Sequence, residues 1–469
     1  MNDNLSNIKP LFESQKEISF SFAKSTYKER NQKLKSLLKN FINMEEEAIQ
    51  ALSDDLGKSP TESVVSEILG VRTEIDFAVK NLKRWMRSKR VPTPLTIFFT
   101  AGWIRPEPKG RVLILAPWNY PILLCLNPLI AAIAAGNSVI IKPSEFTPAS
   151  GLFIKKLINK TFTQGEVSVV LGNQDAAIEL LKNPFNHIFF TGSPATGKLV
   201  MAAAAKQLSS VTLELGGKSP VIVDKSASLS DTAWKLAFYK FANAGQTCTA
   251  PDYILCHESK KTELINKLKT NFNLFFSENA NVQSPDYCQI INSSNFDRLN
   301  GYLNDAVDRG ATVEFGGNIN KEKGFISPTI LSDVSLNSDI MKEEIFGPIF
   351  PIISYKKLSE AVSFINEREK PLALYFFGNN KSAQRDLVEQ TSSGAIVFND
   401  CVIHHTNPNL PFGGVNNSGI GKYHGKYGFD EFSNIKAIMK SGLWSPFKLM
   451  IPPYTNKKHF LVNMIKRLS

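Results

Sequence analysis

Residues 1 to about 90 carry apolar positions at close to the helical period, with charged residues between them. In KLKSLLKNFINMEEEAIQALSDDLGK (33–58), Leu, Phe and Ile recur three or four places apart, which predicts helix. Thr61 and Glu62, following Pro60, open a further helix that ends near Trp85. Pro92 and Pro94, followed by the β-prone TIFFT (96–100), mark a change of structure.

From Val112 short apolar runs alternate with helical stretches. Strands are expected at VLILA (112–116), SVIIK (138–142), VSVVLG (167–172) and HIFFTG (187–192). Helices are expected between them: the apolar run from Pro121, then PASGLFIKKLINK (148–160) and GKLVMAAAAKQ (197–207). A second alternating region begins at PVIVD (220–224), has a helix at 229–242 and runs to Phe398. Repeated strand–helix alternation implies an α/β fold, with parallel sheets covered on both faces. The segment PFGGVNNSGIGKYHGKYGFDEFS (411–433) is too rich in glycine for regular structure throughout. No internal repeat or low-complexity linker interrupts the pattern.

Composition narrows the class. A chain of 469 residues with 43% hydrophobic and 21% charged content can bury two or three globular cores without disulfides or structural metal. The five cysteines, Cys125, Cys248, Cys256, Cys288 and Cys401, are scattered and include no CxxC pair. A reducing compartment, the cytoplasm, is therefore expected. PILLCLNPLIAAIAAG (121–136) is the longest apolar stretch. It holds Asn127 and two prolines and falls short of the about 20 residues that span a bilayer, so it reads as a buried helix. The net charge of +11 raises the question of nucleic acid, but no zinc finger, aromatic RNA platform or long basic block accompanies it. After Lys440 the chain contains basic residues and no acidic one; with LWSPFKLMIPPY this outlines a tail, 446–469, suited to a membrane surface or to a partner subunit.

The candidate chemistry is distributed. GQTCTAPDY (245–253) sets Cys248 among small and polar residues after a helix, where its thiolate would attack a carbonyl carbon; a small buried hydrophobe is the other reading of the same residue. LELGGKSP (213–220) ends a β-prone run at Glu214, just before two glycines that permit a sharp turn. There a carboxylate can project into a cleft as a general base, or simply sit at a strand edge. FTGSPATGK (190–198) lies between strand and helix, where backbone N–H groups meet phosphates, but it has neither GxGxxG nor P-loop spacing. KPSE (142–145) offers Lys142 and Glu145 at another strand end, suited to ribose hydroxyls or to solvent. His404 and His405 are adjacent and lack metal-ligand spacing.

Taken in order, PWNYP (117–121), KPSE, FTGSPATGK, LELGGKSP, GQTCTAPDY, EEIFGPI (343–349) and PFGGVNNSG (411–419) resemble the aldehyde dehydrogenase superfamily, over nearly the whole chain. PWNYP, APDY after the cysteine, GKYHGKYGFDEFS and PPYT are similar to class 3 enzymes, which oxidise fatty and aromatic aldehydes, act as homodimers, and accept NAD and often NADP. One departure is Asn416, where the family has glycine after PFGGV; asparagine tolerates positive φ, so the turn is expected to survive.

The resemblance implies a Rossmann-type dinucleotide-binding domain (1–95 and 112–215), an α/β catalytic domain (216–398) and a small β bridging element for dimerisation (96–111 and 425–445). It implies Cys248 as nucleophile, Asn119 and the Cys248 N–H as oxyanion donors, and Glu214 as the base that activates water against a thioester. It assigns the cofactor to Lys142 and Glu145 at the adenosine ribose, to Gly192, Ser193 and Gly197 near the pyrophosphate, and to Trp118, Glu344 and Phe346 around the nicotinamide ribose and ring. Glu145 favours NAD over NADP, which carries a 2′-phosphate. Tyr120, Asn399 and Phe412 are expected to shape the aldehyde side, with a structural turn role equally open for Asn399, and no metal is called for. Other chemistries on this scaffold are CoA-dependent acylation and acyl-phosphate reduction, from which Glu214 points away; a non-catalytic binding protein on the same fold is the alternative of a different class.

Overall fold

The computed structural model describes residues 5–94, 97, 99–276, 284–442 and 451–468. Helices Ile8–Ala23, Tyr27–Asn43 and Glu45–Leu56 open the chain, so the expected 33–58 helix is divided at Met44. Thr26 begins the second with a capping box: its hydroxyl accepts from the Glu29 N–H, and the Glu29 carboxylate accepts from Thr26. The stretch from Pro60 to Trp85 is helical as expected, but a π turn at Val64–Ile68 interrupts it.

Two sheets follow, with every strand expected from the apolar runs between 112 and 224 in place. The first has six strands in the order Gly419–Ile420, Ser210–Leu215, His187–Gly192, Arg111–Leu115, Ser138–Lys142 and Val167–Val169. All pairings are parallel except that of Gly419–Ile420. The second has seven: Thr312–Phe315, Thr329–Ser332, Ile349–Tyr355, Tyr253–His257, Pro220–Val223, Ala373–Phe377 and Ala395–Phe398, with only the first antiparallel. In the second sheet, strands Pro220–Val223 and Ala373–Phe377 are apolar throughout and buried at every residue, as strands covered on both faces require. Helix Leu123–Ala135 is likewise almost wholly buried, as a sequence apolar but for Asn127 requires.

Chain order reverses in the first sheet between Arg111–Leu115 and His187–Gly192. Crevices form at such switch points, beyond the carboxyl ends of the strands. PWNYP and FTGSPATGK follow these two strands directly, so the topology sets both motifs at one crevice.

A third sheet is antiparallel: Lys89–Val91, Thr100–Pro108 and Ser433–Ser441. Part of the β-prone 96–100 stretch lies outside the described residues. Residues 425–431, expected in the bridging element, instead form helix Gly425–Glu431, and Phe429 from it packs 5.6 Å from Trp85 in the N-terminal core.

Candidate active site

A cavity of about 950 Å³ opens between the two large sheets, lined among others by Trp118, Asn119, Gly192, Ser193, Glu214, Cys248, Glu344 and Phe346. Eight residues from five separate motifs therefore meet in one place.

Cys248 lies in the turn after helix Leu229–Phe241 and a distorted turn in which Asn243 and Ala244 hold φ of 52° and 51°. It is half-buried rather than exposed. Burial, then the carboxyl groups of Glu344 and Glu214, push the thiol up to about 12; the N–H groups of Cys248 and Thr249 oppose the shift by hydrogen bonding to the sulfur.

Asn119 is buried, and its side-chain nitrogen donates to the Gln246 carbonyl at 3.0 Å. An amide nitrogen carries two hydrogens, so this bond orients the group and leaves one donor for the cavity. The Tyr120 hydroxyl meets the Thr247 hydroxyl at 2.6 Å. PWNYP is thus fastened to the turn that carries the nucleophile, one residue away from it.

Glu214 projects from strand Ser210–Leu215, and neither carboxyl oxygen has a hydrogen-bond partner. It is 3% exposed, which excludes the strand-edge reading. Burial holds its pKa well above the usual carboxylate range; Lys422 counters this and Glu431 adds to it. A buried, unpartnered carboxyl facing a cavity that also contains a thiol is suited to taking a proton there.

Glu344 approaches from the other sheet's side. One of its oxygens is unpartnered, and burial followed by Asp252 pushes it up to about 8. It sits over Gly216, where an added Cβ would lie 1.9 Å from Glu344 Oε2. Arg298 donates to the carbonyls of Glu344 and Ile345, and Lys218 reaches Asp252 and the Glu343 carbonyl. Phe346 packs edge-on to Trp118, centroids 5.3 Å apart, with a backbone φ of 46° that few non-glycine residues adopt.

Ser193 caps helix Pro194–Ala205 by accepting from the Thr196 N–H, its carbonyl accepts from the Gly197 N–H, and Pro194 has no N–H, which leaves the Ala195 N–H at the helix end that lines the cavity. Gly197 lets the helix lie close against the sheet, since a Cβ there would come within 2.7 Å of Leu215. Lys142 and Glu145 pair with each other at 3.0 Å at the end of strand Ser138–Lys142 and are not among the residues lining the cavity. Asn416 takes φ 57°, and the turn holds, with Gly419 N–H donating to the Asn416 carbonyl.

The three residues expected on the aldehyde side, Tyr120, Asn399 and Phe412, are not among those lining this cavity. Asn399 does not line the cavity; its side-chain oxygen accepts from the Gly378 N–H at 2.8 Å and its φ is 57°, so it shapes a turn. Phe412 is buried between two imidazoles, with His424 at 5.0 Å and His404 at 5.7 Å, both near-parallel to its ring. It packs in the same core as Tyr120 and Cys248, not in the cavity lining. Both histidines are pushed well down by burial, His404 to about 4 and His424 to about 3, so they act as neutral rings.

A thiol, an amide donor and an unpartnered carboxyl group at a dinucleotide-type crevice are the groups that a thiol-dependent oxidoreductase of carbonyl compounds would use. Comparison with known proteins agrees. The aldehyde dehydrogenase family model matches residues 5–438, and the chain belongs to that family.

It is 45% identical over 437 residues to the 4,4'-diaponeurosporen-aldehyde dehydrogenase of Staphylococcus aureus, covering 93% of this chain and 94% of the relative. It is 42% identical over 431 residues to aldehyde dehydrogenase family 3 member A2 of Mus musculus, covering 92% and 88%. Among solved structures, the substrate-bound state of Staphylococcus aureus AldH superposes with a TM-score of 0.93 at 42% identity, covering 99% of this chain and all of that one. The NAD+ complex of an aldehyde dehydrogenase from Bacillus cereus gives 0.86 at 26% identity, covering 94% and 90%.

Proposed function

We propose that the protein oxidises medium- or long-chain aliphatic or aromatic aldehydes to carboxylic acids with NAD, and with NADP as an alternative acceptor. The observation that carries this reading is the convergence of Cys248, Asn119 and Glu214 on one cavity with Glu344. The Cys248 sulfur bonds to the aldehyde carbon as its thiol proton passes to solvent water, and the carbonyl π electrons move onto oxygen. The resulting oxyanion accepts hydrogen bonds from the remaining Asn119 amide N–H and from the Cys248 backbone N–H; such donors contribute about 3–4 kcal/mol each to the transition state. Loss of hydride converts this thiohemiacetal into a thioester. Glu214 then withdraws a proton from water, which cleaves the thioester, releases the acid and restores the thiol.

The residues present fit a nicotinamide dinucleotide. The unpartnered Glu344 oxygen suits a ribose hydroxyl, the Pro194–Ala205 helix N-terminus suits a pyrophosphate, and Trp118 with Phe346 walls the ring. When bound, the nicotinamide supplies hydride acceptance. Lys142 and Glu145 would hold the adenosine ribose after parting from each other. The substrate class follows the family 3 relative and the apolar aldehyde in the name of the Staphylococcus aureus relative.

The organisation proposed with this function divides the chain into a dinucleotide-binding unit around the six-stranded sheet, a catalytic unit around the seven-stranded sheet, and the three-stranded sheet as the dimer bridge. Exposed Ile435 and Met439 on that sheet's Ser433–Ser441 strand support a homodimer. A cytoplasmic enzyme fits the five free cysteines. The tail contributes peripheral membrane contact: helix Asn456–Leu468 carries Lys457, Lys458 and Lys466, and Phe460 is 72% exposed. Residues 446–450 of that tail lie outside the described residues.

The test is NADH or NADPH formation with aldehydes from acetaldehyde to hexadecanal and with benzaldehyde, alongside Cys248→Ala. Turnover that rises with chain length and is lost in the variant supports the reading; turnover that survives Cys248→Ala overturns it. Product analysis with CoA present separates hydrolysis from acyl transfer, and unchanged lipid co-sedimentation after deletion of 446–469 would remove the membrane role.

A further inference from the structure

Beneath the oxyanion donor lies an ion pair with no evident reason to be where it is. Lys58 and Glu67 are both 0% exposed, with Nζ and Oε1 2.7 Å apart. A pair buried this completely gives up the hydration of both charges, so it is weak evidence of stabilisation and stronger evidence of a geometric task.

Its partners show the task. Glu67 Oε2 accepts from the N–H groups of Ile122 and Leu123, at 2.9 and 3.0 Å, at the start of helix Leu123–Ala135. That helix has no side-chain cap on its preceding residue, so Glu67 serves from a distance in sequence, and a carboxylate at this end also meets the positive end of the helix dipole. Lys58 Nζ lies 3.5 Å from the Asn119 carbonyl oxygen and 4.4 Å from the centre of the Tyr120 ring. The Asn119 carbonyl also accepts from the Asn243 side chain at 2.9 Å. Helix start, carboxylate, ammonium and Asn119 backbone therefore form one continuous chain of contacts under the 117–122 loop, which has no strand or helix of its own.

Glu67 belongs to the π turn Val64–Ile68. An extra residue in a helical turn re-aims the side chains that follow it, and such turns concentrate at functional sites. The distortion and the buried charge thus coincide in one residue.

We infer that Lys58 and Glu67 are positioning residues for the oxyanion donor: the pair fixes the backbone of Asn119 and Tyr120 against the Cys248 turn. The inference rests on the proposed role of Asn119. Neither residue touches the reacting atoms. Their contribution is to hold the donor where the oxyanion forms, and displacement of a catalytic group by about 1 Å lowers a rate by as much as about 100-fold.

The experiment uses the full-length enzyme and four variants: Lys58→Met, Lys58→Arg, the apolar double variant Lys58→Met/Glu67→Met, and Asn119→Ala. Steady-state kcat and aldehyde KM, cofactor Kd and melting temperature are measured for each. Lys58→Met is expected to lower kcat about 10- to 100-fold with KM and cofactor Kd changed less than about twofold, and Lys58→Arg to recover part of that loss. The double variant removes both charges of the pair, and Glu62, whose ionised form Lys58 favours, can take up a proton instead, so its melting temperature is expected to return towards wild type while kcat stays low.

Wild-type kcat in the folded double variant would overturn the inference, as would a kcat loss that simply follows melting temperature across the set. Full turnover in Asn119→Ala would instead remove the role of Asn119 itself, and the two failures are told apart in one series.

Discussion

The environment of Cys248 makes a quantitative statement about the enzyme without cofactor or substrate. With its pKa pushed up to about 12 by burial, Glu344 and Glu214, the thiol is ionised to only about one part in 10⁵ at pH 7, against roughly 3% for a free cysteine of pKa about 8.5. That ratio is about 3,000. A more basic thiolate is more nucleophilic, with a Brønsted slope of about 0.4–0.5, which restores roughly 40-fold over the difference in pKa. Cys248 should therefore be alkylated roughly 100-fold more slowly than free cysteine at pH 7.

The rate should rise tenfold per pH unit, with no plateau between pH 7 and about 10. The assay is iodoacetamide labelling over that range, read at the Cys248 peptide by mass spectrometry; Cys125, Cys256, Cys288 and Cys401 are buried and provide internal references. A plateau at or below about pH 8, or labelling as fast as free cysteine at neutrality, would refute the argument that the closed site keeps its nucleophile protonated.

Three other outcomes follow from particular contacts. Gly216→Ala places a Cβ 1.9 Å from Glu344 Oε2, so Glu344 must swing aside and the cofactor Kd should rise about tenfold with the fold intact, as read by fluorescence titration. Lys422→Met removes the charge that favours the ionised form of Glu214; the acidic limb of the pH–kcat profile should move to higher pH, while Lys422→Arg leaves it in place. Glu74 is buried, accepts from the Gly425 N–H and is pushed up to about 7. Its folded pKa is raised, so its contribution is complete below about pH 4.5 and is lost as pH rises through about 7, a change of about 3 kcal/mol. Glu74→Gln should therefore melt higher than wild type at pH 8 and lose that advantage at pH 4.5, by thermal denaturation.

The parts of the fold legible in the sequence are those whose environment is uniform. Strands such as Ser138–Lys142 and helix Leu123–Ala135 are buried on all sides, and their apolar runs say so. Ser433–Ser441 is mostly exposed: Ile435, Ala437 and Met439 alternate with Asn434, Lys436 and Lys440, but Ile438 breaks the pattern and no buried face marks it, so its pairing with Thr100–Pro108 makes it a strand. Cys248 and Glu214 stood out as candidates, each with a bland alternative, Asn119 entered only through the family resemblance of PWNYP, and it is the fold that brings the three to one cavity.

Lys58 and Glu67 were not legible, since charged residues on a helical stretch read as a solvated face and only tertiary packing buries them. Gln246 stood in the quoted GQTC motif, and Lys218 in LELGGKSP, but their bonds to Asn119 and Asp252 depend on segments far away in sequence. For Asn399 a cleft role and a turn role were equally open from the sequence, and its side chain completes a backbone turn.

The most direct test of the central claim is intact-protein mass spectrometry of Glu214→Gln after mixing with NAD and decanal. Cys248 should gain the mass of a decanoyl group, with one equivalent of NADH formed in a burst and little turnover after it, and Cys248→Ala should show neither. Continued turnover in Glu214→Gln without any adduct on Cys248 would contradict the thioester mechanism.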